Sequence, residues 1–270
     1  MSTSCSQVLA VSVLLVADIC LGQTQQFREP WNDHTKAIVI DLYEDSEIDW
    51  GMLATDPRVV GVIHRATTGV LPDREFEKRR EEARNRGYRW GSLHVGTPID
   101  PVKQADFYLS VAKPSDDEVI ALDLECVEAS NCMTITQASA FIRRIKEKTG
   151  RYPMVYANHY VTTQISATRV NRKVFSETKL WYARFRKTIP SFPNRVWNSY
   201  TLWQFSSEIN CNELHRNACL YRAPGTNYDM DISVYNGSIG EMRKNWPFSQ
   251  AEPSGSADLY LELNPENYIK

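Results

Sequence analysis

The chain has 270 residues, 42% of them hydrophobic and 24% charged, and a formal net charge of −2. That length can bury a sizeable core in one large domain or two, and the composition is ordinary for a globular protein. The near-balanced charge excludes the basic surface that nucleic acid or an anionic membrane would demand, so neither is expected as a partner.

The first element is QVLAVSVLLVADICLG (7–22), an apolar segment too short and too interrupted to span a bilayer. Small residues near Gly22 suit signal-peptidase cleavage before Gln23, so residues 1–22 are expected to be a removed secretory signal. A lipid-anchored Cys20 is the weaker reading, because Ala17-Asp18-Ile19 is a poor approach to a lipidated cysteine. The mature protein is then expected to be secreted, extracellular or periplasmic, with no membrane contact.

Branched and aromatic runs bounded by turn residues predict eight strands, several nearly continuous in apolar residues as for strands covered on both faces. In chain order they are AIVIDL (37–42), VVGVIHRA (59–66), RWGSLHV (89–95), VIALDLE (119–125), PMVYAN (153–158), KLWYARF (179–185), YTLWQFS (200–206) and DMDISVY (229–235). Helices are predicted between some of them, at 73–86, 101–112 and 134–148, the last opening at Thr134 and stopping at Gly150. REFEKRREEARNRGYR (74–89) mixes charge signs, with Glu75/Arg79 and Glu82/Arg86 at i,i+4 spacing, and reads as a solvated helix face. The connections after 158, 185 and 206 look irregular. The fold class this predicts is α/β, an irregular (β/α)8-like barrel over residues 23–245 with helices reduced in the second half. From Trp246 to Lys270 the Pro, Ser, Gly and Glu content reads as a tail or linker outside the barrel.

Loss of the signal leaves four cysteines, for which three pairings exist in principle. Short spacing favours Cys126–Cys132 and Cys211–Cys219 in an oxidising compartment. A zinc site is the rival, but no CxxC is present and no histidine falls at ligand spacing.

Catalytic groups of a parallel barrel gather at the C-terminal ends of its strands. Asp41 closes AIVID, Asp123 and Glu125 close VIALDLE, and Asp231 lies in DMDIS. Residues two apart on a strand share a face, so Asp123 and Glu125 would point together into the barrel mouth. Two such carboxylates repel, and the more buried one acquires a raised pKa, which suits protonation of a glycosidic oxygen. A single strand-end acid more often caps backbone or pairs with an arginine such as Arg65 or Arg184. A DxE closing an apolar strand, with acids on the first and last strands too, is a joint pattern that favours chemistry.

Aromatic residues strengthen the reading, since sugar rings stack on their faces. Trp181, Trp203 and Tyr156 fall on predicted strands and Tyr43, Trp50 and Tyr235 near their ends, although core packing explains any one of them. Gln204 and Asn158 suit hydroxyl or acetamido groups, and Arg65 and His94 complete the binding candidates, His94 reading more readily as a structural histidine. No GxSxG supports a serine triad.

These residues resemble the family 25 glycoside hydrolases, muramidase-type lysozymes that cut peptidoglycan. VIDLYEDSEIDW (39–50) is similar to the family's opening strand, VIHRATTG (62–69) to its second, and GSLHVGTP (91–98) to its G-x-Y-H-F stretch. ALDLE (121–125) matches D-x-E, KTGRYPMVYAN (148–158) matches T-G-x-Y-P-x-x-Y-x-N, and LWYARF, LWQFSS and MDISVYNGS match the later strands. Departures are Leu93 where Tyr is usual, Ser233 for Asn, Arg184 for His or Tyr, and the segment around Cys211 and Cys219, which looks unusual and is placed to border the substrate groove. The resemblance implies Glu125 as general acid, Asp123 orienting the substrate acetamido group, and Asp41 and Asp231 holding the acid's environment and the reacting sugar. It implies bacterial peptidoglycan glycan strands as partner, a monomer, and no metal or cofactor. A chitinase-like glycosidase, an inactive glycan-binding barrel and a metal-dependent hydrolase using the same four acids are the alternatives.

Overall fold

In the computed structural model, residues 26–127, 130–169 and 171–248 are described. The expected signal segment 1–22 and most of the expected tail lie outside them. Nine strands form: β1 (Lys36–Leu42), β2 (Val59–Thr68), β3 (Leu71–Pro72), β4 (Arg89–Val95), β5 (Val119–Asp123), β6 (Met154–Asn158), β7 (Leu180–Ala183), β8 (Leu202–Ser206) and β9 (Asp231–Ser238). β3 only folds back on β2, and the other eight close into a barrel through the β1–β2 pairing.

Alternation along the strands builds two cores. Ala37, Val39, Val119, Ala121, Met154, Trp181 and Leu202 fill the barrel interior. Ile38, Ile40, Trp90, Ile120, Leu122, Val155, Trp203 and Phe205 face outward under helices and loops. The helices are α1 (Trp50–Leu53), α2 (Phe76–Asn85), α3 (Pro101–Ala112), α4 (Ile135–Thr149), α5 (His159–Ala167), α6 (Arg172–Ser176) and α7 (Ile239–Asn245). α3 starts where expected because Asp100 accepts from the amides of Val102 and Lys103 and Pro101 needs no donor partner. α4 opens on a reciprocal Thr134–Gln137 capping box and stops at Gly150, which adopts a positive φ of 70°.

Three expectations need correction. The stretch after 158 is not irregular, because α5 and α6 form there. Asn158 caps α5 through the amide of Val161, and burial of Val161 and Ile165, one turn apart, overrides the weak helix propensity of its Thr and Val residues. The last strand is not parallel: β9 runs antiparallel to both β1 and β8. The loop 207–230 carries only a 3₁₀ turn, Arg216–Ala218, so the chain re-enters from the end it left, as an antiparallel connection allows. The chain is also still part of the barrel at Trp246. Met242 and Trp246 join the interior core and plug the end opposite the mouth, with the Trp246 indole donating to the Trp90 carbonyl at 3.1 Å. Gly61 makes room for them, since a Cβ there would sit 2.8 Å from Met242 Cε.

α2 is less solvated than its charge pattern suggests. Its internal pairs form at i,i+3 (Glu75–Lys78, Glu77–Arg80, Arg79–Glu82), while Arg80 and Arg84 each reach the buried Glu118 at 2.6 Å. The Ser115 amide also donates to Glu118, so this carboxylate fastens α2 to the start of β5. Glu118→Ala is expected to cost about 2 kcal/mol by removing the buried anion that the two guanidinium groups share, with Arg80 keeping Glu77 and the half-exposed Arg84 keeping Asp117. A urea titration would show a lower midpoint with an unchanged slope, and a midpoint equal to wild type would refute the role.

Candidate active site

The barrel mouth collects inward-facing positions from five strands. Asp41 of β1 lies beside Asp231 of β9 as a Cα pair, because the antiparallel β9 begins at the end where β1 finishes. Asp123 ends β5 opposite Tyr156 of β6. The Tyr156 hydroxyl donates to Gln204 Oε1 of β8 at 2.5 Å, and Gln204 Nε2 faces Asp41 Oδ2 at 3.5 Å.

The backbone carrying Glu125 is held from both sides. Gly96 N donates to the Asp123 carbonyl, Leu124 N to the Tyr156 carbonyl, and Asn158 Nδ2 to the Glu125 carbonyl at 2.8 Å. Leu124, 1% exposed, anchors the segment in the outer core. Cys126 and Cys132 are joined with their Cα atoms 5.5 Å apart, and Cys211 with Cys219, so the pairings expected from spacing form.

The electrostatics follow from packing acids together. Burial, then the charge of Glu208, raises Asp41 to about 8, against which the Gln204 bond pulls slightly. Burial and then Glu125 and Asp41 hold Asp123 well above the ordinary carboxylate range, with Arg65 opposing. Asp231 is pushed well up by burial and then by Asp41, Glu208, Asp123 and Glu125. Glu125 keeps access to solvent, yet burial and then Glu208 raise it too. Asp123 Oδ1 is buried with no hydrogen-bond partner among the described residues. Near neutral pH the cluster therefore holds protons that isolated carboxylates would have lost. Among the described residues, no three His, Cys, Asp or Glu side chains are grouped to hold a metal ion.

A cleft of about 400 Å³ opens over Asp41 and Asp231, walled by Tyr43, Glu208 and Asp229. Through Glu47 and Asn227 it adjoins a groove of about 630 Å³ along Ile48, Met52 and Arg222. The ends of the loop after β8, Glu208 on one side and Arg222 to Asn227 on the other, thus line this edge, while the bridged part between them does not.

The other expected binding residues are engaged in packing or in structural bonds, some of them next to the mouth. Trp203 is fully buried on the outer side of the barrel, its indole donating to the Arg184 carbonyl and its ring meeting Trp31 edge-on. His94 also faces outward, stacked on Phe141 and bonded to Thr67 and Gln104, and burial lowers its pKa to about 4, so it is a neutral structural residue. Trp181 is sealed inside the barrel, donating to Ser233 Oγ at 2.8 Å and supporting the Tyr156 ring edge-on. Asn158 spends both ends of its amide on α5 and on Glu125. Arg65 is half-buried against Asp73 and Glu44, with its guanidinium over the Tyr43 ring. Trp50 donates to Glu82 away from the cleft, and Tyr235 stacks on Phe248 at the closed end. Glu208, which lines the cleft, was missed. Glu208 had one sequence cue, an acid two residues beyond the strand LWQFS at the same end as the others.

With this geometry established, comparison with known proteins is decisive over residues 40–214, more than half of the chain, which match the Glycosyl hydrolases family 25. The chain belongs to this family. It is a glycoside hydrolase, as the motifs quoted above implied. Among curated relatives, the N,O-diacetylmuramidase of Arthroderma benhamiae is 27% identical over 197 residues, 68% of this chain and 75% of the relative. A bacterial lysozyme from Streptomyces coelicolor superposes with a TM-score of 0.63 at 21% identity, covering 77% of this chain and 96% of its own. A muramidase from Acremonium alcalophilum gives 0.61 at 21% identity, covering 77% and 97%. These two structures share the family's barrel with this chain.

Proposed function

We propose that the protein is a secreted muramidase that hydrolyses the β-1,4 bond between N-acetylmuramic acid and N-acetylglucosamine in peptidoglycan. The observation that carries this is the acidic mouth in which Asp41, Asp123 and Asp231 are buried together near Glu125, so that burial and mutual repulsion push these carboxyl groups above their ordinary range. Glu125, open to solvent, is the general acid that protonates the leaving glycosidic oxygen. Asp123 orients the substrate 2-acetamido group so that its carbonyl oxygen attacks the anomeric carbon as the C–O bond breaks, the substrate-assisted variant of glycoside hydrolysis. Glu125, now ionised, takes a proton from the water that opens the cyclic intermediate and returns to its starting state. Asp41 and Asp231 hold the environment of the acid and the reacting sugar, and Tyr156 and Gln204 present a polar wall to the acetamido group. The muramidases and lysozyme matched above support the choice of peptidoglycan. The two disulfides and the apolar segment 7–22 support export.

A chitinase-like specificity is the competing reading of a D-x-E on a barrel strand. Digestion of purified cell walls followed by mass spectrometry of the borohydride-reduced muropeptides separates them. Muramitol ends are the expected result, and glucosaminitol ends would overturn the muramidase reading.

A further inference from the structure

The cleft over Asp41 and Asp231 is lined mostly by acidic side chains, and among the described residues of its lining Tyr43 is the one aromatic. A sugar carries hydroxyl and amide groups around its edge and a patch of C–H groups on each face. Polar side chains grip the edge, and an aromatic face takes the C–H patch. Trp181 and Trp203 are sealed in the two cores and Trp50 is 8% exposed, so none of them presents its ring to the cleft. The Tyr156 ring is held edge-on against Trp181. Tyr43, by contrast, is 41% exposed.

Its exposure is not looseness. Tyr43 N donates to Ser46 Oγ and Ser46 N donates back to the Tyr43 carbonyl, both at 3.0 Å, so the turn after β1 is closed on itself. Arg79 of α2 donates to the Ser46 carbonyl at 2.8 Å, which ties that turn to the helix. The guanidinium of Arg65 lies over the Tyr43 ring, 5.1 Å from its centroid. Arg65 is itself fixed by the fully buried carboxylate of Asp73 at 3.0 Å, and the same Asp73 oxygen accepts from Glu44 N at 3.0 Å. One buried acid thus locks both the cation over the ring and the backbone next to it. An aromatic ring held this way and left in the open is ordered before any ligand arrives, which lowers the entropy lost on binding.

We propose that Tyr43 is a substrate-binding residue, the platform on which the apolar face of one N-acetylhexosamine ring of the glycan strand stacks beside Asp41 and Asp231. This deepens the muramidase reading and rests on it. The contact is made to a ring face and not to the breaking bond, so it holds substrate and transition state alike and appears in KM.

The experiment measures kcat and KM on soluble glycan strands stripped of their stem peptides, for wild type, Tyr43→Phe, Tyr43→Trp and Tyr43→Leu. Tyr43→Leu should raise KM by about 3–10-fold with kcat within about 2-fold of wild type, while the flat rings of Tyr43→Phe and Tyr43→Trp keep KM within about 2-fold. Equilibrium binding of the same strands to Glu125→Gln and to Glu125→Gln/Tyr43→Leu should show the same weakening without turnover. An unchanged KM in Tyr43→Leu would overturn the platform, as would a Tyr43→Phe as weak as Tyr43→Leu, which would give the role to the hydroxyl. Either result with an active wild type overturns this inference alone. A wild type that cleaves no glycan strand overturns the muramidase reading and this inference with it.

Discussion

Glu125→Gln is expected to lower kcat/KM on cell-wall substrate by about 10²–10⁴-fold, the contribution of a positioned general acid. Glutamine has nearly the same shape and keeps the side chain polar, but it carries no transferable proton. Glu125 is open to solvent, and its backbone is held by Asn158 and by the neighbouring Leu124 bond, neither of which involves the carboxylate. The melting temperature should therefore stay within about 2 °C of wild type, the response to a surface change of a few tenths of a kcal/mol. The pH dependence gives a second readout. The acid works only while protonated, so activity disappears as pH rises through the Glu125 pKa, which burial and Glu208 place above the ordinary glutamate value. Wild type should thus stay active at pH values where an unperturbed glutamate is already ionised, and the residual activity of the variant should lack that alkaline limb. Turbidity clearing by the purified variant at the wild-type rate would sink the assignment.

The strands were legible because their burial on both faces writes long apolar runs into the sequence, and β4 begins and ends where RWGSLHV does. The acids were legible for the same reason: a carboxylate closing such a run conflicts with burial, and a conflict of that kind marks function. The direction of β9 was not legible, because an apolar strand reads alike in either sense and the evidence of reversal is the missing crossover helix before it. That reversal is what brings Asp231 beside Asp41, and what sends Tyr235 to the closed end. The face of each aromatic was only half legible. Period-two alternation separates Gln204 from Trp203, and Trp181 from Tyr182, but which of each pair faces inward depends on a register fixed by Asp41 and Asp123. Glu208 was missed because its one cue, an acid two residues beyond a strand at the end that bears the other acids, is weak in a polar loop, and it gains weight only where the structure sets it in the cleft with Asp41 and Asp231.

Asp41→Asn is expected to make the protein more stable while disabling it. In the folded barrel the Asp41 carboxyl holds its proton up to about pH 8, whereas in the unfolded chain it titrates near its ordinary value of 3.8. Between those values unfolding releases a proton, so a rise in pH favours the unfolded state. The stability associated with this group is fully present below pH 4, declines through the neutral range and is lost once pH passes the folded value. Asparagine does not titrate, and its carbonyl oxygen can still accept from Gln204 Nε2, so the variant escapes the decline. Each pH unit of difference corresponds to about 1.4 kcal/mol for an isolated group. Here the protons are shared with Asp123 and Asp231, whose pKa values would fall once Asp41 is neutral, so a gain of about 2 kcal/mol at pH 8 is the expected size, or roughly 4–8 °C. Melts at pH 4.5 and pH 8 test it: the variant should exceed wild type at pH 8 and by much less at pH 4.5, while wall lysis collapses. Equal differences at the two pH values would show that the mouth does not store its strain in Asp41. For the same reason Asp41→Asn combined with Asp231→Asn should stabilise by less than the sum of the two, since neutralising either acid already relieves the repulsion the pair shares.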